Sequence, residues 1–186
     1  PFDPMSSGGP FGRGPRGMAW DPGNEDILVC NEQENSVSVI SAFSFEVRNV
    51  LKGHLSQPFD VCITQRQDRF GFFRNVYFGW ILSRNGDLTI FESGPNGTNG
   101  WGYDDTIGVV PFTFDSPKRV AVDVNNLNGS VWVVHENKLN PDGTKTNLPG
   151  GAVTKVNIDS AVAGQLPLIS SNAGNPQFRD MGIGVD

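Results

Sequence analysis

The chain has 186 residues, of which 37% are hydrophobic, and a formal charge of −6 from 14 basic and 20 acidic side chains. That length suffices for one ordinary domain with a real core. The acidic balance, with its Lys and Arg dispersed, argues against a partner bound through nucleic-acid phosphates, and no apolar run approaches the roughly 20 residues of a membrane span.

The 23 Gly and 13 Pro lie below the level of disordered low-complexity sequence, and 13 Phe and four Trp supply material to pack. This composition suits an all-β chain, with apolar strands and corners of Gly, Pro, Asn and Asp. Two cysteines, Cys30 and Cys62, do not make a disulfide scaffold or a metal motif. Two buried free thiols in strands are favoured over one disulfide between them.

Residues 1–14 are aperiodic and rich in Gly, Pro and Ser, and read as a linker or a surface strap. From Pro15 the texture changes. Strands are expected at Arg16–Asp21, Asp26–Asn31, Ser36–Ser41 and Phe45–Leu51, with turns at Asp21-Pro22-Gly23-Asn24 and Asn31–Asn35. Four short strands joined by tight turns make one antiparallel sheet.

The order then recurs. Pro58–Thr64, Asn75–Leu82 and Asp87–Glu92 read as strands, with Asn85-Gly86 as a hairpin turn that needs positive φ. Pro117–Asp123, Gly129–His135 and Ala152–Asp159 form a third set, and Pro176 opens a fourth that runs to Asp186. The leading prolines fall at 15, 58, 117 and 176. The first spacing matches a four-stranded propeller blade, and the longer ones fit blades with inserted loops at 92–115 and 136–151. The expected units are therefore 15–56, 57–116, 117–175 and the opening strand 176–186. No useful helical stretch appears; 159–163 makes at most one turn.

The first unit resembles the YVTN-type β-propeller repeats. The matching residues are Pro15-Arg16-Gly17-Met18-Ala19-Trp20-Asp21-Pro22, then Ile27-Leu28-Val29-Cys30-Asn31, then Asn35-Ser36-Val37-Ser38-Val39-Ile40. The resemblance is good over 15–52 and partial over 57–93 and 117–159; it departs at 65–74, where a Phe-rich piece replaces a tight turn. It implies an all-β propeller of about three four-stranded blades plus the start of a fourth, and it says little about chemistry. Rings take about four to eight blades, so further blades are expected from a longer parent chain or another copy; both ends of the sequence look cut.

Candidate chemistry is sparse. His54 and His135 are the only histidines and read as a loop residue and a strand end. Asp123, Asn125, Asn128 and Asp142 offer oxygen ligands for calcium, the one cofactor considered, although turns require the same residues. Trp101, Tyr103, Asp104 and Asp105 set two aromatics beside two carboxylates on an inserted loop, a pattern suited to a protein or glycan contact. Phe70-Gly71-Phe72-Phe73 reads as core between blades, and Asn96-Gly97-Thr98 and Asn128-Gly129-Ser130 fit the glycosylation acceptor pattern. Nucleophile elbows, phosphate loops and dinucleotide fingerprints are absent from the sequence. The expectation is a non-catalytic, extracytoplasmic propeller module that engages a protein or glycan partner through its inserted loops. The rivals are part of a propeller enzyme, lactonase-like or redox, with its site at the channel mouth, and a self-assembling structural subunit.

Overall fold

The structure, a computed structural model, describes residues 12–67, 75–93, 106–110, 113–123, 130–139, 145–156 and 171–173. They form three four-stranded antiparallel sheets, each a meander in which sequence neighbours pair. The first sheet comprises β1 (Pro15–Asp21), β2 (Asp26–Asn31), β3 (Ser36–Ser41) and β4 (Val47–Leu51). The second comprises β5 (Pro58–Gln67), β6 (Asn75–Ser83), β7 (Leu88–Ser93) and β8 (Thr106–Val109). The third comprises β9 (Pro117–Val122), β10 (Val131–Leu139), β11 (Lys145–Val156) and β12 (Ser171–Ala173). Among the described residues the only helical piece is a 3-10 turn at Glu32–Glu34, and no helix is long and apolar enough to cross a membrane, which leaves β-barrels unaddressed.

Three cross-strand rows recur at the same register. The outer two are Met18-Val29-Ser38 and Trp20-Ile27-Ile40 in the first sheet, Val61-Ile81-Thr89 and Ile63-Gly79-Phe91 in the second, and Val120-Val133-Thr154 and Val122-Val131-Val156 in the third. Between them, on the opposite face, run Ala19-Leu28-Val39, Cys62-Trp80-Ile90 and Ala121-Trp132-Lys155. Alternate residues of a strand point to opposite faces, so each sheet has a leading face toward the sheet before it and a trailing face toward the sheet after it.

The cores follow this rule. Leu28, Cys30, Val37 and Val39 of the first trailing face pack with Val61, Ile81 and Phe91 of the second leading face. Phe59, Trp80, Leu82, Leu88 and Ile90 of the second trailing face pack with Val120, Val131, Val133 and Val156 of the third leading face. Burial of each such side chain is worth about 1.5–3 kcal/mol. The first strands of successive sheets touch, β1 against β5 and β5 against β9. Gly17 makes the first contact close: a Cβ there would sit 2.7 Å from the Phe59 carbonyl and the Asp60 Cα. At the second contact the Asp60 carboxylate accepts the Val120 N–H at 2.8 Å and Arg119 at 3.2 Å.

Each leading proline follows a residue in the left-handed region: Gly14 (φ 68°), Gln57 (φ 53°) and Ser116 (φ 52°). The carbonyl of each accepts a backbone N–H from the residue that follows a fully buried polar side chain of the second strand. The three bonds are Glu32 to Gly14 at 2.9 Å, Arg84 to Gln57 at 3.2 Å and Glu136 to Ser116 at 3.2 Å. The polar residues beside them, Asn31, Ser83 and His135, are all fully buried.

Several boundaries differ from the sequence expectation. Residues 92–115 contain β8, and much of 136–151 extends the β10–β11 hairpin, with Asn137 opposite Pro149 and Leu139 opposite Lys145. Both β8 and β12 are short, four and three residues, so they hold too few positions to show an apolar alternation. Phe45 is not in a strand: its φ of 57° places it in the β3–β4 turn. At the β6–β7 hairpin only Gly86 is left-handed (φ 95°), and its N–H reaches the Ser83 carbonyl, which makes a turn over Arg84-Asn85 closed by glycine. The fourth unit, 176–186, and residues 1–11 of the expected strap, 1–14, lie outside the described residues.

Gly79 marks the tightest fit in the core. A Cβ there would lie 1.9 Å from the Phe91 ring, so this row holds glycine where its counterparts hold Ile27 and Val131. Gly79→Ala is expected to lower stability by about 1–3 kcal/mol in urea denaturation. Adding Phe91→Leu is expected to recover part of the loss, and a strictly additive double variant would show that the ring is not what glycine accommodates.

Candidate functional site

Strand direction sorts the connections between two ends of the array. One end carries the left-handed residues before the prolines, the Glu32–Glu34 turn, and the last residue of β10. The other end carries the turn 42–46 and the connections that contain 68–74, 94–105 and 124–129.

The first end is held by ion pairs. Glu32 accepts from Arg16 at 2.7 Å and from Arg84 at 2.6 Å, which joins the first sheet to the second. The Arg84 hydrogen bond, then that of Arg16, holds the Glu32 carboxyl below its ordinary range, against the opposing effect of partial burial. The equivalent positions repeat the contact with altered chemistry. Arg84 lies over the Phe59 ring at 4.0 Å, and Lys118 pairs with Glu136 at 2.9 Å. These groups are solvent-accessible and pair among themselves, so each adds little stability, on the order of 0–1 kcal/mol.

The second end is aromatic. Phe43 and Phe45 are 71% and 72% exposed. Buried Ser41 organises the turn that presents them: its Oγ accepts the N–H groups of Phe43 and Ser44 at 3.3 Å, and its carbonyl accepts the Phe45 N–H at 3.0 Å. A bulky residue at positive φ is strained by roughly 1–2 kcal/mol, so this turn fixes Phe45 in a costly conformation that displays its ring. Sequence reasoning missed both residues, because it read Phe45 as the start of a strand and gave Phe43 no role.

The sequence candidates divide. Trp101, Tyr103, Asp104, Asp105, Asn125, Asn128 and Asp142 lie outside the described residues, as do Phe70, Phe72, Phe73 and Asn96. Asp123 is described: its carboxylate meets Lys155 Nζ at 2.5 Å, and its amide donates to the Ser130 carbonyl. A cation at Asp123 would have to displace that lysine. The nine-residue β10 lies between residues 124–129 and 140–144 in the chain, and its two ends are about 30 Å apart at roughly 3.3 Å per residue.

Other titratable groups serve the scaffold. Cys30 and Cys62 are free thiols that pack against different cores, and burial pushes both thiols up, with the Asp60 charge adding to it. Burial also pushes Asp60 up, opposed by the Val120 N–H and Arg119. His54 is left-handed (φ 55°), and its carbonyl accepts the Thr89 hydroxyl at 2.9 Å. His135 is fully buried against the Phe114 ring. Its Nδ1 lies 2.6 Å from the Asn137 carbonyl and its Nε2 lies 2.8 Å from the Thr154 hydroxyl. A carbonyl only accepts, so Nδ1 carries the proton and Nε2 accepts from Thr154. The two histidines have separate partners. Among the described residues no group of three or more His, Cys, Asp and Glu is placed to hold a metal.

No protein-family model matches the sequence, and no curated protein matches it. The fold is similar to a chain of Kuenenia stuttgartiensis hydrazine synthase, with TM-score 0.58 and 12% identity over 87% of this chain and 37% of that one. It is also similar to a functionally unknown protein from Desulfotomaculum acetoxidans DSM 771, with TM-score 0.53 and 20% identity over 84% of this chain and 41% of that one. The chain thus spans well under half the length of either, and at these identities the likeness concerns fold alone. It agrees with the three sheets in assigning a propeller-like, all-β architecture.

The His135 site predicts a pH dependence. Burial lowers its pKa below the ordinary 6.5. Below that pH the unfolded chain takes up a proton that the folded chain refuses, so stability falls as pH drops, by at most about 1.4 kcal/mol per unit. Urea denaturation at pH 7.5 and 5.5 is expected to show the loss, and His135→Gln to reduce it. A His135 ring resonance that titrates above its ordinary value would overturn the assignment.

Proposed function

We propose that the chain is a non-catalytic module of a YVTN-type β-propeller that engages a partner protein through the loops at one end of its sheets, in an extracytoplasmic setting. The observation that carries this reading is the Phe43–Phe45 turn: two exposed aromatic rings on a backbone fixed by Ser41. Exposed aromatics held rigidly are the side chains that anchor protein interfaces, since little conformational entropy is lost when they bind. The described strand ends that flank 94–105 and 124–129 lie at the same end as the β3–β4 turn, which supports testing the Trp101–Asp105 stretch together with the two phenylalanines. A glycan remains the second partner class that this loop would suit, because aromatic and carboxylate groups together stack on and hydrogen-bond to sugars.

Binding to a displayed peptide library and to a glycan array tests the reading. Specific ligands are expected among the peptides, and Phe43→Ser with Phe45→Ser is expected to weaken them by roughly tenfold or more, with an unchanged thermal midpoint because both rings are exposed. Ligands found only on the glycan array, or peptide ligands indifferent to both substitutions and to replacement of 94–105 by a short Gly-Ser turn, would overturn it.

A further inference from the structure

We infer that the partner segment bound at the Phe43–Phe45 turn is basic: an arginine or lysine of the partner lies across the exposed rings and pairs with Glu25 and Glu46. The inference rests on the protein-partner reading above and names the chemistry of that partner.

The backbone brings the two rings and the two carboxylates to one surface. The Ser41 N–H donates to the Glu46 carbonyl at 2.9 Å, and the Ala42 N–H donates to the Glu25 carbonyl at 3.2 Å. Glu25 and Glu46 therefore flank the start of the turn, one on each side. Neighbouring strands lie about 5 Å apart, which sets the two glutamate backbones on the order of 10 Å from each other. Glu25 (φ 56°) and Phe45 (φ 57°) are both left-handed, and Glu25, Phe43, Phe45 and Glu46 are all exposed. No cation of this stretch answers the carboxylates. Lys and Arg are absent from 17–47, and Arg48 of β4 meets the buried Asp26 carboxylate at 3.3 Å. Among the described residues neither Glu25 nor Glu46 makes an ion pair.

The rest of the chain shows what such a surface takes. At two other places an aromatic ring and a carboxylate share one cation. Arg84 lies over the Phe59 ring at 4.0 Å and meets Glu32 at 2.6 Å. Lys155 Nζ lies 5.2 Å from the Trp132 ring and meets Asp123 at 2.5 Å. The face of a ring attracts a cation, and the carboxylate adds a charge-assisted hydrogen bond. The Phe43–Phe45 turn has the rings and the carboxylates without the cation, and a basic partner supplies it. Unanswered negative charge on the surface also steers such a segment toward the turn.

Selection from a displayed random-peptide library on the 186-residue chain tests this, with the selected peptides resynthesised for titration. Enrichment of Arg and Lys over the starting library is expected. Glu25→Gln with Glu46→Gln is expected to weaken the selected peptides roughly tenfold, with an unchanged thermal midpoint because both side chains are exposed. Raising the salt from about 0.1 M to about 1 M shortens the Debye length from about 10 Å to about 3 Å and is expected to weaken them by a similar factor. Phenylalanine-dependent peptides without basic residues, or basic ones indifferent to both glutamate substitutions and to salt, overturn the inference and leave the protein-partner reading standing. Peptides that ignore Phe43→Ser and Phe45→Ser overturn the inference as well. If they also ignore the replacement of 94–105, or if the library yields no binder, both readings fall.

Discussion

The second sheet is covered on both faces, and the rest of the array depends on that double burial. Its leading face holds Val61, Ile81 and Phe91 against the first sheet, and its trailing face holds Trp80, Leu82, Leu88 and Ile90 against the third. A sheet buried on both sides reads as a nearly continuous apolar run rather than as a clean alternation, and Phe78-Gly79-Trp80-Ile81-Leu82 is such a run. Its one gap, Gly79, is filled from the neighbouring strand by Phe91. The outer sheets each receive one apolar face from this central layer and orient their polar groups around it.

Polar groups inside the array are disposed by the same repeat. Asn31, Ser83 and His135 sit at equivalent positions of the second strand of their sheets, all buried; Asn31 and Ser83 end theirs, whereas β10 runs on past His135 to Leu139. Asn31 donates to the Ser36 and Ser38 hydroxyls, and His135 bonds Thr154. The side-chain chemistry varies while the backbone bond beside it, from Glu32, Arg84 or Glu136, does not. A buried N–H or C=O must find a partner, so the backbone contact is the constant element and the side chain adapts to the space available. The left-handed residue before each proline follows from the same bond, which requires its carbonyl to turn toward the second strand.

Ion-paired and aromatic surfaces are separated by direction along the strands. The end with the left-handed residues is tied by Glu32, Arg16, Arg84, Lys118 and Glu136. The opposite end bears the exposed phenylalanines and the longer connections. Function on such an architecture belongs to what the loops carry, because the sheets fix only where the loops leave. Strain at Phe45 fits this division: a costly backbone is kept at the end where side chains are displayed.

The sequence by itself determined the all-β class, the strand openings at Pro15, Pro58 and Pro117, the turn at Pro22-Gly23, the positive φ of Gly86, and the described inner strands to within a few residues. These are local properties: alternation with a period of two, and residues whose φ preferences punctuate it. The strands β8 and β12 escaped that reading, because four and three residues are too few to show an alternation. Tertiary structure alone decided which apolar residues are covered. Met18 and Val61 occupy equivalent places in equivalent strands, and nothing in their own segments says that one meets a neighbouring sheet and the other meets solvent. Phe43 and Phe45 resemble strand residues until Ser41 closes the turn that turns them outward. Of the candidate site residues named from sequence, Asp123 is the one described, and its partner Lys155 lies 32 positions away in another strand. Contact across a sheet sets its environment, and that contact depends on register, which the local pattern leaves open.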